Sequence, residues 1–178
     1  MKQTIIAVIC FLCVSSLYIQ AQKINHPSLL YTPQRIQQVK QRMQHEPKLQ
    51  EAWGDIKRTA DEALQKKDFN RLDYLSLAYL MTDNKEYADV IKEILLKTVE
   101  AESWGDVEMM ARIPAWRSQL GMAHKSFLSA VGYDAAYNVM SSSERKKIAE
   151  GLKRLAVEPA LGDWLLEPGS YTHLRAHE

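Results

Sequence analysis

Two stretches of the chain share one pattern of apolar and polar positions. The first has a dense apolar run over residues 72–81, a polar turn, and then an amphipathic segment over residues 87–99. The second has a largely apolar run over residues 120–140, a polar turn, and an amphipathic segment over residues 148–155. A run that is apolar on all sides predicts a helix enclosed by neighbours, and a one-sided stripe predicts a helix with one solvated face. The chain is therefore predicted to contain stacked helical hairpins.

The first half of the chain carries recognisable signals for the starts of helices. Thr32 is a favourable N-cap, and Pro33 follows at the first helical position, where its missing N–H costs nothing. Pro47 is predicted to break one helix and begin the next, because the residue before a proline disfavours the helical region. Asn70 is predicted to cap the apolar helix that begins near residue 72.

The second half carries its own signals and one long irregular stretch. Ser141 and Glu144 have the spacing of a capping box, and Pro159 is predicted to close or kink the helix that follows them. Residues 102–114 lack helical periodicity and are predicted to form a long loop, a length that is often functional. No stretch sustains the period of two that indicates a β-strand.

The fold predicted for residues 22–168 is all-α, with helical hairpins that form part of an incomplete (α/α) toroid. One hairpin cannot bury its own apolar face, so several must stack side by side. About three pairs are visible, which is near the minimum for a stable array.

The first 21 residues are predicted to be a secretory signal peptide. Lys2 supplies the positive charge, residues 5–17 form the apolar region, and Ala21 is a small residue of the kind found at cleavage sites. The alternative is a membrane anchor, although this apolar run is shorter than a bilayer span requires.

The cysteines bear on the cellular compartment. Cys10 and Cys13 both lie within the predicted leader, so the mature chain has no disulfide and no thiolate metal site. Neither cysteine follows the small residues expected at a lipidation site. An exported protein without disulfides is predicted to lie in the periplasm or at the cell surface of a Gram-negative bacterium.

Residues 169–178 resemble the translation of sequencing-adaptor DNA and are predicted to be foreign to the protein. The alternative is a genuine loop that carries Tyr171, His173 and His177. Without the leader and this tail, which contain Lys2, Arg175 and Glu178, the 23 basic and 22 acidic residues become 21 of each. A neutral chain offers no broad basic field, so neither nucleic acid nor a membrane surface is a predicted partner. No metal-ligand motif, calcium loop or phosphate-binding loop is present, and no cofactor is predicted.

Residues 26–43, 71–95 and 131–152 resemble the N-terminal part of the heparinase II/III-like polysaccharide lyases of Bacteroidetes. The broader group includes chondroitin AC and alginate lyases. The resemblance implies a toroid followed by β-sandwich domains, and β-elimination on polysaccharides that contain uronic acid. In such a reaction a base removes the C5 proton while a second group neutralises the adjacent carboxylate.

The resemblance assigns no catalytic residue to this chain. The family's Asn/His motif and catalytic Tyr lie on later toroid helices, and no Asn-x-His occurs here. The chain is therefore expected to be an inactive N-terminal fragment of a lyase. Two alternatives stay open. One is a non-catalytic helical-repeat protein that binds glycans, and the other is a glycoside hydrolase with the same toroidal fold.

The candidate substrate-binding residues surround the long loop. Trp104 and Trp116 are suited to stacking on sugar rings, and Arg112 and Arg117 to binding carboxylate or sulfate. The alternative is that the tryptophans pack in the core while the arginines pair with acidic residues of the loop, namely Asp106 and Glu108.

His124 is the fifth candidate. It is the one histidine on a helix predicted to be interior, at helical spacing with Leu120 and Val131. It is predicted to face a substrate cleft, where it would serve as a base or as a partner for the carboxylate of an acidic polysaccharide. The alternative is a hydrogen-bonded histidine of the core or a groove.

Overall fold

The structure, a computed structural model, describes residues 24–113 and 115–166. The predicted leader (residues 1–21) and the predicted foreign tail (residues 169–178) lie outside these ranges. Within them the chain is helical and contains no β-strand, so the all-α class is confirmed. No helix in these ranges is long and apolar enough to cross a bilayer.

The helices follow one another with short connections, apart from one long loop. In chain order they are α1 (Pro33–Met43), α2 (Pro47–Lys66), α3 (Leu72–Thr82), α4 (Lys85–Thr98), α5 (Val107–Met110), α6 (Leu120–Ala136), α7 (Ser142–Leu152) and α8 (Glu158–Leu161). Single 3₁₀ turns, Phe69–Arg71 and Tyr137–Val139, precede α3 and follow α6. The predicted loop is largely irregular, with the short helix α5 in its middle.

Two of the predicted caps are confirmed by their hydrogen bonds. The Thr32 hydroxyl accepts from the backbone N–H of Arg35 at 3.3 Å. At the start of α7, Glu144 N–H donates to the Ser141 hydroxyl at 3.2 Å, and Ser141 N–H donates to the Glu144 carboxylate at 2.7 Å. These bonds satisfy N–H groups that have no partner inside their helices.

The predicted Asn70 cap is wrong. The chain enters α3 through the 3₁₀ turn, and Asp68 caps that turn by accepting from the Asn70 N–H at 2.9 Å. The carboxylate two residues before Asn70 thus takes the Asn70 N–H, and α3 begins with no side-chain cap. Asn70 lies inside the 3₁₀ turn instead of before α3.

Helix α3 is the centre of the fold. Helices α2, α4 and α6 all pack against it, and Leu72, Leu75 and Ala78 are fully buried. Helix α4 buries one face, including Tyr87, Ile91 and Leu95. The first hairpin therefore matches its prediction of an enclosed helix followed by a helix with one solvated face.

The second hairpin is less enclosed than predicted. Leu128 and Val131, in the second half of α6, are buried, but Leu120 is 86% exposed and Phe127 is 52% exposed in the first half. The apolar run predicted burial along the whole helix, whereas in the structure most positions before Leu128 are exposed or partly exposed and most positions from Leu128 onward are buried. Helix α6 thus leaves an apolar stripe uncovered by the residues that the structure describes.

Pro159 does not end the helical path. Residues from Ser142 to Leu166 continue through two π-helical stretches, Lys153–Val157 and Gly162–Leu166. The Glu158 N–H donates to the carbonyl of Lys153, five residues earlier. A wider turn relieves the clash between a proline ring and the carbonyl one turn before it, and the helix absorbs the proline in this way.

Candidate functional site

A buried carboxylate joins the segment before α6 to residues 153–166, which are called the C-terminal helix below. Asp163 accepts from the backbone N–H groups of Arg117 and Ser118, each at 2.6 Å. The Arg117 guanidinium adds bonds from Nε and Nη2 at 2.9 Å, and the Ser118 hydroxyl adds another at 2.9 Å. Arg117 therefore serves chain packing in this structure, and its partner is Asp163 instead of the predicted Asp106 or Glu108.

These donors keep the Asp163 carboxyl group ionised. Burial alone raises the pKa of this carboxyl, but the N–H groups of Ser118 and Arg117, the guanidinium and the Ser118 hydroxyl outweigh burial and lower the pKa below its ordinary value. A carboxylate that stays ionised holds the guanidinium in place. The anion-binding role predicted for Arg117 would require a ligand to compete with a bonded carboxylate.

The two tryptophans beside this contact are packed against each other. The rings of Trp116 and Trp164 meet edge to face, with centroids 5.5 Å apart and an interplanar angle of 60°. Trp116 is partly buried, and Trp164 is 47% exposed. Edge-to-face pairs of this kind add packing energy beyond buried area. Trp116 and Arg117, which are consecutive in the chain, lie just before the start of α6.

The remaining candidates lie apart from that pair. Trp104 is only 4% exposed, and its indole N–H donates to the Thr98 carbonyl at 3.4 Å. Arg112 is exposed on the loop after α5, and His124 is exposed on α6. The alternative of a core histidine at position 124 is therefore wrong. The helix turns this position to the same side as the exposed Leu120 and Phe127.

A groove that the sequence did not reveal lies where α2, α4, α6 and the loop after α4 meet. It encloses about 660 Å³. Four lysines line it, together with one acidic residue, Glu93, and with Trp104 and Phe69. The lysines are Lys66, Lys67, Lys97 and Lys125. Cations are common at the C-terminal ends of helices because the helix dipole stabilises them there, so lysines at these positions do not by themselves indicate a binding site. Only packing brings them to one place.

A second buried carboxylate anchors the N-terminal segment. Asp134 of α6 accepts from the backbone N–H groups of Ser28 and Leu29, each at 2.8 Å. The His26 ring contributes a bond from Nδ1 at 2.6 Å and stacks on Tyr137 with centroids 3.8 Å apart. His26 therefore helps to hold the N-terminal segment against α6.

The pKa of Asp134 is also lowered. Burial raises it, but the bonds from Leu29 N–H, His26 and Ser28 N–H prevail. A carboxyl whose pKa is depressed in the folded state binds fewer protons than the unfolded chain at acid pH. Its stabilising effect is present above the unfolded pKa of about 3.9 and is lost as the pH falls through the folded pKa.

We therefore expect the free energy of unfolding to fall steeply as the pH is lowered below about 4, since Asp134 and Asp163 both behave in this way. Denaturant titrations at about pH 6 and about pH 3 measure the loss. At the higher pH the Asp134→Asn/Asp163→Asn variant is expected to be less stable than the parent chain. Between the higher and the lower pH it is expected to lose less stability than the parent chain does. An equal loss in the variant and the parent chain would assign the acid sensitivity to other carboxyls.

Burial makes four of the tyrosines weaker acids. Tyr31, Tyr79, Tyr87 and Tyr133 all have raised pKa values, and burial is the largest cause in each. A general base needs a pKa lowered toward the working pH. No group of three His, Cys, Asp or Glu side chains within the described ranges could hold a metal ion.

Comparison with known proteins finds no family model that matches the chain and no significant match among curated protein sequences.

Proposed function

We propose that the chain is the N-terminal part of the toroid of an exported polysaccharide lyase that cleaves uronate polymers by β-elimination. The observation that carries this proposal is the packing of the two hairpins. Helices α3 and α6, the first of each hairpin, contact each other, and so do α4 and α7, the second of each. Consecutive units of an (α/α) toroid are arranged in this way, with one layer of inner and one of outer helices.

The uncovered apolar side chains support the same proposal. Leu120 and Phe127 of α6 are exposed, as are Val157, Leu161 and Leu165 of the C-terminal helix. The two helices are neighbours, because Asp163 bonds to Arg117 at the start of α6 and the segment 153–157 also contacts α6. Soluble monomers rarely leave such residues together in water. A further helical hairpin is the covering that a toroid would supply.

The family resemblance implies that the working groups lie on later helices, and they are proposed to lie there. In the reaction a base takes the C5 proton, the C4–O bond breaks, a C4–C5 double bond forms, and the departing oxygen takes a proton. Neutralisation of the uronate carboxylate is needed because C5–H is a very weak acid otherwise. The Trp116–Arg117 pair is proposed to lie at the rim of that site.

The test is an absorbance assay on this chain and on the longer protein encoded by DNA that continues past residue 168. Each is incubated with heparan sulfate, chondroitin sulfate and alginate, and the near-ultraviolet absorbance of unsaturated uronides is followed. We expect product from the longer protein with at least one polymer, and none from the chain alone. Cleavage by the chain alone would refute the assignment of the working groups to later helices.

The same assay separates the alternatives. Polymer cleavage without ultraviolet absorbance would indicate a hydrolase of toroidal fold. Binding without cleavage by the longer protein would indicate a non-catalytic glycan-binding protein. A continuation that lacks an Asn/His motif, a tyrosine on the toroid and β-strands would also contradict the lyase proposal.

A further inference from the structure

We infer that this groove, lined by Lys66, Lys67, Lys97 and Lys125, binds sulfated polysaccharide. The inference rests on the proposed function only for the choice of a glycan as ligand. The site itself is argued from the side chains that line it.

The groove gathers positive charge from parts of the fold that are distant in sequence. Lys66 and Lys67 come from the end of α2, Lys97 from α4 and Lys125 from α6. The one acidic residue in the lining, Glu93, bonds to Lys67 at 2.7 Å. Three lysines therefore remain in excess over the carboxylate within about 660 Å³. This concentration stands out on a chain whose net charge is only +1.

A structural explanation covers some of these lysines but not all. Lys66 lies in the last turn of α2 and Lys97 in the last turn of α4, where a cation favours the helix dipole. Lys125 lies within α6, well away from the C-terminal end, so the dipole gives no reason for it. An anionic ligand shared with the other groove lysines would give Lys125 a role at this position.

The chemistry of the lining favours sulfate groups. No arginine is among the groove's lining residues, so the planar, two-pronged binding of a carboxylate that a guanidinium provides is not offered there. Lysine is a compact point charge with three rotatable donors, which suits the tetrahedral oxygens of a sulfate. A polymer with several sulfates per disaccharide also presents more charge to a short groove than a polymer with carboxylates alone.

The aromatic residues argue against single-stranded nucleic acid. Nucleic-acid grooves rely on exposed rings that stack on successive bases. Here Trp104 is 4% exposed and its N–H is bonded to Thr98, while Phe69 is packed against the core. The rings form the groove's floor and leave little face for stacking. A flexible sulfated sugar chain needs only the charges.

The test is binding of the full chain to a heparin hexasaccharide, measured by calorimetry at low and at moderate salt. The Lys97→Gln/Lys125→Gln variant is expected to bind about 10-fold more weakly than the parent chain, because two of the groove's charges are lost. The matched control is Lys146→Gln/Lys153→Gln, which removes the same charge from exposed sites on and just after α7. We expect the control to change affinity by less than about 2-fold.

A gain-of-affinity variant provides a second readout. Glu93→Gln removes the acidic residue from the lining and frees Lys67 from its carboxylate, so the hexasaccharide should bind about 2- to 5-fold more tightly. Circular dichroism of every variant shows whether the helices are retained. A variant that unfolds is replaced by the single changes Lys97→Gln and Lys125→Gln.

Three results would overturn the inference: equal weakening in the groove variant and in the control, no binding of the hexasaccharide by the parent chain, or equal binding of a single-stranded oligonucleotide. An alginate hexamer that binds as tightly as the heparin hexamer would remove the preference for sulfate. None of these outcomes depends on cleavage. The lyase proposal is tested by the chemical nature of the products, whereas the groove is tested by the affinity for the hexasaccharide.

Discussion

The Asp134→Ala variant is expected to lose about 3–4 kcal/mol of its free energy of unfolding. The change removes every acceptor for the N–H groups of Ser28 and Leu29 and for the His26 ring. Hydrogen bonds to a charged group are worth more than neutral ones, and donors left without a partner carry a desolvation cost. The N-terminal segment is then held mainly by the stacking of His26 on Tyr137 and one bond to the His26 carbonyl.

The measurement is denaturant unfolding at neutral pH, with two companion variants. Asp134→Asn keeps one acceptor oxygen and removes the charge, so it is expected to fall between the alanine variant and the parent. Asp55→Ala is the control, because Asp55 is exposed on α2 and its ion pair with Arg58 contributes little. Destabilisation of the same size at positions 55 and 134 would mean that the Asp134 contacts do not stabilise the fold.

The second large effect is expected for Gly151→Ala. Gly151 is buried on α7, and a Cβ built there would lie 2.8 Å from Cγ1 of Val99, at the end of α4. Val99 is itself buried, so it has little room to move. Overpacking of this kind costs about 1–3 kcal/mol even though alanine is the better helix former.

The control for that variant is Gly54→Ala. Gly54 lies within α2 with nothing within 4 Å of a built Cβ, so alanine should raise the free energy of unfolding by about 0.5–1 kcal/mol. Opposite signs at the two glycines would show that α4 and α7 pack closely, which is the contact between the outer helices of the proposed toroid. If Gly151→Ala is as stable as Gly54→Ala, the two helices do not meet as described.

Much of the local structure could be predicted from the sequence. The Thr32 and Ser141 caps and the enclosed helix α3 depend on neighbours within one turn or on apolar residues on every side, and both signals are local. The exposure of the first half of α6 was missed because an apolar run does not say how many neighbours are available to cover it.

The candidate site was harder to predict, since its residues are gathered by packing. Asp163 and Lys125 gave no signal, because each gains its role from a partner more than 20 residues away. The sequence did not show that Asp163 would bind the Arg117 guanidinium. Asp134 lies in the family-like segment of residues 131–152, but the pattern there predicts no individual role for it. Its carboxylate proved to anchor the N-terminal segment.

Cleavage of a uronate polymer in ¹⁸O-labelled water tests the central claim most directly, because elimination and hydrolysis differ in the origin of one oxygen atom. The longer protein is incubated with the polymer that it cleaves, and the products are weighed by mass spectrometry. The lyase account predicts new ends without solvent oxygen, each non-reducing product carrying a C4–C5 double bond. Products that carry one ¹⁸O atom per cleavage and no double bond would contradict it.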